Sequence, residues 1–366
     1  MLQKILGRIL GCALLLYGGS AISFTIITLP PPEQVPSEVI TTATTLETLV
    51  QPIASTIRAQ LFSIQRLKRV QRVSQSGPVL VASADRRGGF EYVAASEAPG
   101  TGAGGGGSES LWISTAANSL ENDFSRTAFH GASHSLLAGF DLTRAERYVI
   151  GVSVGHEASN FSTTFNTGDE KTRGFSVNPY FAYLLSDAWS VDLVAGYGKY
   201  DTRQSRTVGT GLLTTATMSS EFPSTRSFGS TNLTYLTALG DWKLSGALGY
   251  TATRREQDAY LEIGPLGATV AVSKQTVKQA SLLGEAAYGR GASETYLSLL
   301  YEDTRDPVKV QFATGEQPAN DPDSVLLSAG WRYFGKGLTA NFAFSKRVAQ
   351  EQVNEYGFSM MLRVDL

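Results

Sequence analysis

The sequence predicts a closed antiparallel β-barrel of about twelve strands that crosses a membrane, and three observations predict it. Apolar and polar residues exchange places with period two from Leu111 onward. The alternating segments run about ten residues or more, the length a tilted strand needs to cross a bilayer. Tight turns alternate with long polar connections between them. Composition agrees. The 366 residues include 37 Gly, 15 Tyr, 17 Phe and 4 Trp, and only 17% are charged, against roughly 25% in an ordinary soluble protein. A formal net charge of −2 supplies no general field for nucleic acid. The single Cys12 excludes an intrachain disulfide and a cysteine-rich metal site.

The first element reads as an address. Lys4 and Arg8 precede an uncharged run from Ile9 to Leu29, most apolar over Cys12–Tyr17 and followed by Gly18, Gly19, Ser20 and Ala21. A basic start, an apolar core and then small residues form a secretory signal, with cleavage near Ala21-Ile22-Ser23. The signal therefore occupies residues 1–23, and its partner is the secretion translocon. The run is also long enough to serve as an uncleaved anchor. Either way the chain leaves the cytoplasm.

Residues 24–107 form a short leader. Pro30, Pro31, Pro32 and Pro36 mark an extended stretch. Within 45–73, Leu46, Leu49, Val50, Ile53, Ile57, Leu61, Ile64 and Leu67 recur at spacings of three and four, one stripe of an amphipathic helix. Its second half carries Arg58, Arg66, Lys68, Arg69 and Arg72 with no acid among them. That basic face suits solvent, anionic lipid or a polar pore. Gly100, Gly102 and Gly104–Gly107 form a spacer that cannot pack, which places the domain boundary at 108. A leader this short has little room for an independent core.

The barrel occupies 108–366. Trp189, Val191, Leu193, Ala195 and Tyr197 alternate with Ser190, Asp192, Gly196 and Gly198. Trp242, Leu244, Leu248 and Tyr250 alternate with Lys243, Ser245, Gly249 and Thr251. Val325, Leu327, Ala329, Trp331 and Tyr333 do the same against Ser324, Ser328, Gly330 and Arg332. Small and charged residues opposite the apolar row, such as Asp192, Glu285 and Arg332, predict a wet lumen. Trp189 with Tyr197, Trp242 with Tyr250, and Trp331 with Tyr333 predict an aromatic girdle near the strand ends, where such rings meet the headgroups of outer-membrane lipid. Strands are expected near 111–118, 132–142, 146–156, 172–185, 188–201, 225–239, 241–253, 276–290, 293–303, 324–334, 337–346 and 354–366. Long connections fall at 157–171, 202–224, 254–275 and 304–323. Short turns on one side and long loops on the other suit an outer-membrane barrel, and an even strand number puts both barrel ends on the short-turn side.

Chemistry is sparse. His130 and His134 flank Ser133, and Asp141 follows, but on a strand 130 and 134 share a face that 133 does not. No nucleophile elbow, zinc-protease helix or phosphate loop is present. The loop acids Asp169, Glu170, Asp303, Asp306, Asp321 and Asp323 match no calcium loop. The sequence thus predicts no enzyme, no cofactor and no metal, and a monomer.

The runs Leu137-Ala138-Gly139-Phe140-Asp141-Leu142 and Tyr148–His156, and then Ser190–Gly198 after a tight turn, resemble the autotransporter β-domain family. The resemblance covers about residues 108 to 366 and rests on order, spacing and the twelve-strand count. It implies a type V secretion barrel in the outer membrane of a Gram-negative bacterium that carries its own N-terminal segment to the cell surface. It also implies insertion by the barrel-assembly machinery, which reads the last strand. Here that strand offers Tyr356, Phe358, Met360, Leu362, Val364 and Leu366 as its outward row. The family usually ends in Phe or Trp, so Leu366 is a departure, as is the lack of room for a long β-helical passenger. No Asn precedes Asn118, which closes the family's Asn-cyclisation route of passenger cleavage within the leader. A stand-alone outer-membrane pore or surface-loop protein without a passenger remains the alternative.

Overall fold

The structure is a computed structural model that describes residues 25–29, 37, 41, 108–144, 147–209, 215–267, 269–305, 308–312, 315, 317, 323–335 and 337–366. The expected signal, the 45–73 helix and the Gly-rich spacer lie outside the described residues; Ser37 and Thr41 are helical. In chain order the strands are β1 (Thr25–Leu29), β2 (Ser108–Asn122), β3 (Phe129–Arg144), β4 (Tyr148–Thr163), β5 (Gly168–Leu184) and β6 (Trp189–Gly209). They continue with β7 (Thr215–Leu239), β8 (Trp242–Gln257), β9 (Tyr260–Leu261), β10 (Thr269–Val270) and β11 (Ser273–Arg290). The last are β12 (Ser293–Arg305), β13 (Val308–Phe312), β14 (Asp323–Phe334), β15 (Leu338–Val348) and β16 (Val353–Asp365). Twelve of them, β2–β8, β11, β12 and β14–β16, close into one antiparallel barrel. No helix among the described residues is long and apolar enough to cross a membrane; the crossing elements are strands.

Closure follows from the even count. β16 returns antiparallel to β2, from Val353 opposite Asn122 to Asp365 opposite Ser110, and the Leu366 amide donates to the Glu109 carbonyl at 2.9 Å. Both barrel ends therefore sit on one rim. The other connections on that rim are short, and Gly240 and Gly291 turn the chain with φ of 60° and 63°, values that favour glycine. We call this the short-turn rim and the opposite one the mouth.

The strands outrun the expected ones toward the mouth. β4 and β5 continue until only residues 164–167 join them, and β6 and β7 reach Gly209 and Thr215. The connections expected at 157–171 and 202–224 are thus mostly paired strand. The outward row shows why. On β6, Trp189, Leu193 and Tyr197 give way to Lys199, Asp201 and Arg203, all of them exposed. On β5, Phe181, Val177 and Phe175 give way to Arg173, Lys171 and Asp169. The ladder continues while its outer surroundings change from apolar to aqueous. Inside, the mouth end acquires apolar packing: Phe129, Phe161, Met218, Phe222 and Tyr260 are buried, with Phe222 stacked on Tyr260 at 4.1 Å. Above Tyr197 the outward row is polar, while the inner row mixes these apolar side chains with the buried Glu157, Thr202, Gln204, Arg206 and Arg226.

Three small pieces decorate the mouth. β9 and β10 pair as a hairpin in the connection after β8, and Ser219 bridges Ile263 there. β13 lies within the connection between β12 and β14, and it pairs in parallel with β1, from Thr25 opposite Val308 to Leu29 opposite Phe312. A strand at residues 25–29 was not expected from the sequence.

Candidate functional site: the barrel lumen and its mouth

Alternation along each strand delivers one row of side chains to the lumen. That row is buried, not water-lined: Asp192 is 4% exposed and Arg332 7%, while the outward Leu193 is 50% exposed. The wet lining expected from the polar row is therefore corrected: these side chains are shielded from water. The wall is also less uniformly small than expected. Trp112, Leu137, Val149, Tyr180, Ala182, Val194 and Phe228 form one buried apolar cluster on the β2–β7 side.

Inward glycines make that cluster possible. A Cβ on Gly139 would strike the Trp112 ring, one on Gly151 the Tyr180 ring, and one on Gly196 the Phe228 ring. Each glycine is a notch in which a ring from a neighbouring strand lies flat against the wall. Gly196 is on the small face in the sequence, but its partner Phe228 enters from another strand. The Trp112 indole donates to the Tyr180 hydroxyl at 2.8 Å, which donates to Asp141 at 3.2 Å. Ser110 donates to the other Asp141 oxygen, and Arg363 donates to Ser110 at 2.9 and 3.1 Å. This chain ties β2, β3, β5 and β16 together near the short-turn rim.

Several charges elsewhere on the wall are paired. Arg332 grips Glu285 through two bonds of 2.7 Å and lies 3.7 Å over the Tyr296 ring. Lys243 reaches Glu294 at 3.2 Å. Higher up, Arg226 donates to Glu157 and Tyr200, and Tyr200 donates to Glu157 at 2.6 Å. Arg347 bridges Glu302 at 2.7 Å and Glu355 at 2.6 Å. Arg206 holds Glu262 through bonds of 2.8 and 2.7 Å at the mouth. An ion left single in such a place would carry a desolvation cost of several kcal/mol. Arg347–Glu355 ties neighbouring strands, whereas Arg332–Glu285, Lys243–Glu294, Arg347–Glu302 and Arg226–Glu157 reach past at least one strand along the wall.

The mouth carries a polar socket at the β4–β5 tip. The Ser37 hydroxyl lies 3.0 Å from that of Thr163, and the Asn166 amide donates to it at 3.0 Å. Thr41 donates to the Glu170 carboxylate and to the Ser37 carbonyl, the latter at 3.2 Å. Ser37 and Thr41 are both buried.

The residues singled out in the sequence fall as follows. Trp189, Tyr197, Trp242, Tyr250 and Trp331 are exposed on the outward face, and Tyr333 is half-buried beside Trp331 with ring centroids 6.1 Å apart. Trp189, Trp242, Trp331 and Tyr333 lie near the short-turn rim, whereas Tyr197 and Tyr250 lie in mid-strand because β6 and β8 continue past them. Trp189 packs on Tyr235 at 4.9 Å and Trp242 on Tyr288 at 5.3 Å. In β16, Tyr356, Val364 and the following Leu366 are exposed and Phe358, Met360 and Leu362 half-buried, while Glu355 and Arg363 are buried. His130 and His134 are exposed and Ser133 is buried, so the three do not converge. Ser37, Thr41 and Glu170 carried no signal of their socket, because it joins residues more than a hundred positions apart.

A family model described as the autotransporter beta-domain matches residues 111–347. Among solved structures, the translocator domain of the autotransporter NalP from Neisseria meningitidis is similar with a TM-score of 0.57 and 14% identity, over 85% of this chain and 97% of that one. The β-domain of the Bordetella autotransporter BrkA is similar with a TM-score of 0.56 and 18% identity, over 71% of this chain and 100% of that one. At these identities the likeness is one of fold. No curated protein matches the sequence.

Proposed function

The chain belongs to the autotransporter β-domain family, the translocator barrels of the bacterial outer membrane, and from that premise we propose that its cargo is its own N-terminal segment. One observation carries the reading. Residues of the leader contact the mouth, through β1 on β13 and through Ser37 and Thr41 on the β4–β5 tip, whereas the barrel starts at Ser108 on the opposite rim. Contacts at one rim and an entry to the wall at the other are what export of the leader through the barrel would leave. Lipid is closed to an unpaired backbone, so on this reading export uses the lumen. An apolar cluster on one wall and charged residues on the other suit the expected 45–73 segment, apolar on one stripe and basic on another.

The remaining assignments rest on this reading. Residues 1–23 direct the chain through the secretion translocon. The barrel works as a monomer without enzymatic chemistry. The outward row meets outer-membrane lipid, and the lower ring of Trp189, Trp242, Trp331 and Tyr333 faces Tyr197 and Tyr250 across it. Trp189 to Tyr197 and Trp242 to Tyr250 are each eight residues, about 21 Å of height at the usual strand rise and tilt, near the ~25 Å apolar band of such barrels. The barrel-assembly machinery recognises Tyr356, Phe358, Met360, Leu362, Val364 and Leu366. Antibody against an epitope inserted before residue 24 tests the central claim: binding to intact cells supports export. An epitope reached only after the outer membrane is opened supports the alternative, a stand-alone pore or surface-loop barrel without a passenger.

A further inference from the structure

We propose that the mouth is a docking site for the chain's own residues 25–29, Ser37 and Thr41, which latch onto it after crossing and stay there in one register. The inference rests on the export reading above and says what becomes of the exported segment. Two separate contacts converge on it. The first is strand addition. Within the described residues β13 pairs with β1 alone, in a two-stranded parallel sheet. A parallel partner cannot come from a hairpin; here it is supplied from the far end of the sequence, as a peptide adds to an exposed strand edge.

The second contact is the socket. Ser37 and Thr41 are four residues apart, so on a helix they share a face. Both meet the β4–β5 tip: Ser37 the Thr163 hydroxyl and the Asn166 amide, and Thr41 the Glu170 carboxylate. They are 1% and 0% exposed. Gly168 forms part of the floor, since a Cβ there would strike the Ser37 hydroxyl. Beside it Thr167 sits at φ 47°, a left-handed position that non-glycine residues seldom take and that recurs at ligand clamps. Pro30, Pro31, Pro32 and Pro36 lie between the two contacts in sequence and restrict the chain joining them. Because the segment is tethered, its effective concentration at the mouth is on the order of millimolar, so contacts too weak to capture a free peptide suffice.

Disulfide trapping on intact cells tests the latch. In the full chain with Cys12→Ser, Ser37→Cys is paired with Thr163→Cys, and cells are treated with an oxidant that does not cross membranes. Heat-modifiable migration first establishes that each variant has folded. A peptide pair linked through positions 37 and 163 is expected in most molecules after digestion. Ser162→Cys, one position along the strand and facing the other way, is expected to link at least ten-fold less. Glu170→Ala or Gly168→Val is expected to lower the 37–163 link several-fold. Absence of the link while an epitope before residue 24 binds antibody on intact cells overturns the latch and leaves export standing, and equal linkage to 162 and 163 does the same. Absence of both the link and the surface epitope overturns export and the latch together.

Discussion

Arg347 shows what the inner wall requires of one side chain. It comes from β15 and reaches Glu302 on β12 and Glu355 on β16, and its side chain is 5% exposed. Arg347→Ala strands two buried carboxylates, and breaking a buried pair this way costs about 3–5 kcal/mol. The folded, fast-migrating band is therefore expected to convert to the unfolded one at a clearly lower temperature. The combination of Arg347→Met, Glu302→Gln and Glu355→Gln is expected to recover most of the loss, since the two carboxylates that lost the guanidinium are then neutral as well. The notches make a second demand. Gly139→Val drives a side chain into the Trp112 ring; overpacking of this kind costs about 1–3 kcal/mol, and Trp112→Ala in the same chain is expected to relieve it in the same assay. Neither partnership was legible in the sequence. Alternation identified Arg332 and Gly196 as inward-facing, but a luminal contact joins residues such as Trp112 and Tyr180, separated by 68 positions. Period-two reading assigns a face, and only closure of the ring assigns the neighbour.

At the scale of the strand, the informative feature is the change of surroundings along one element. The lower half of β6 is apolar outward through Leu193 and Tyr197, and its upper half presents Lys199, Asp201 and Arg203. The upper half also pairs across to β7 through an exposed Arg203–Glu221 contact of 3.0 Å. The sequence places all twelve strands but ends several of them early, because stretches rich in Asp, Gly, Thr and Pro read as loops. Charges exclude lipid; they do not exclude a ladder, whose bonds are made by the backbone. The two halves should respond differently to the same chemistry. Leu193→Arg puts a cation on the face assigned to lipid and is expected to cost about 2–4 kcal/mol, whereas Arg203→Leu changes a solvated position and is expected to stay within about 0.5 kcal/mol. Guanidinium titration of the barrel folded in lipid vesicles measures both. Equal effects would mean that the outward row meets one medium from end to end.

For the molecule as a whole, everything depends on closing the ring at β16 and β2. An even strand count fixes that both ends meet on one rim, which was legible from the sequence, and the register of Asp365 with Ser110 completes it. The mouth was not legible. The pairing of residues 25–29 with 308–312 depends on where the barrel brings the β12–β14 connection, and no local pattern in either segment announces it. The last residue sits at the closing seam: the Leu366 amide bonds to Glu109, while its side chain is exposed on the outward face. Leu366→Phe keeps the amide and changes only what an approaching assembly machine would meet on the outward row. If the last strand is the signal read during insertion, that change should raise the fraction of newly made chains that become heat-modifiable within a short pulse-chase. The thermal transition of the assembled barrel should stay in place, since the closing bond is unchanged. A shift in the thermal transition with no gain in assembly would assign Leu366 to the stability of the seam and move the recognition signal elsewhere along Tyr356–Val364.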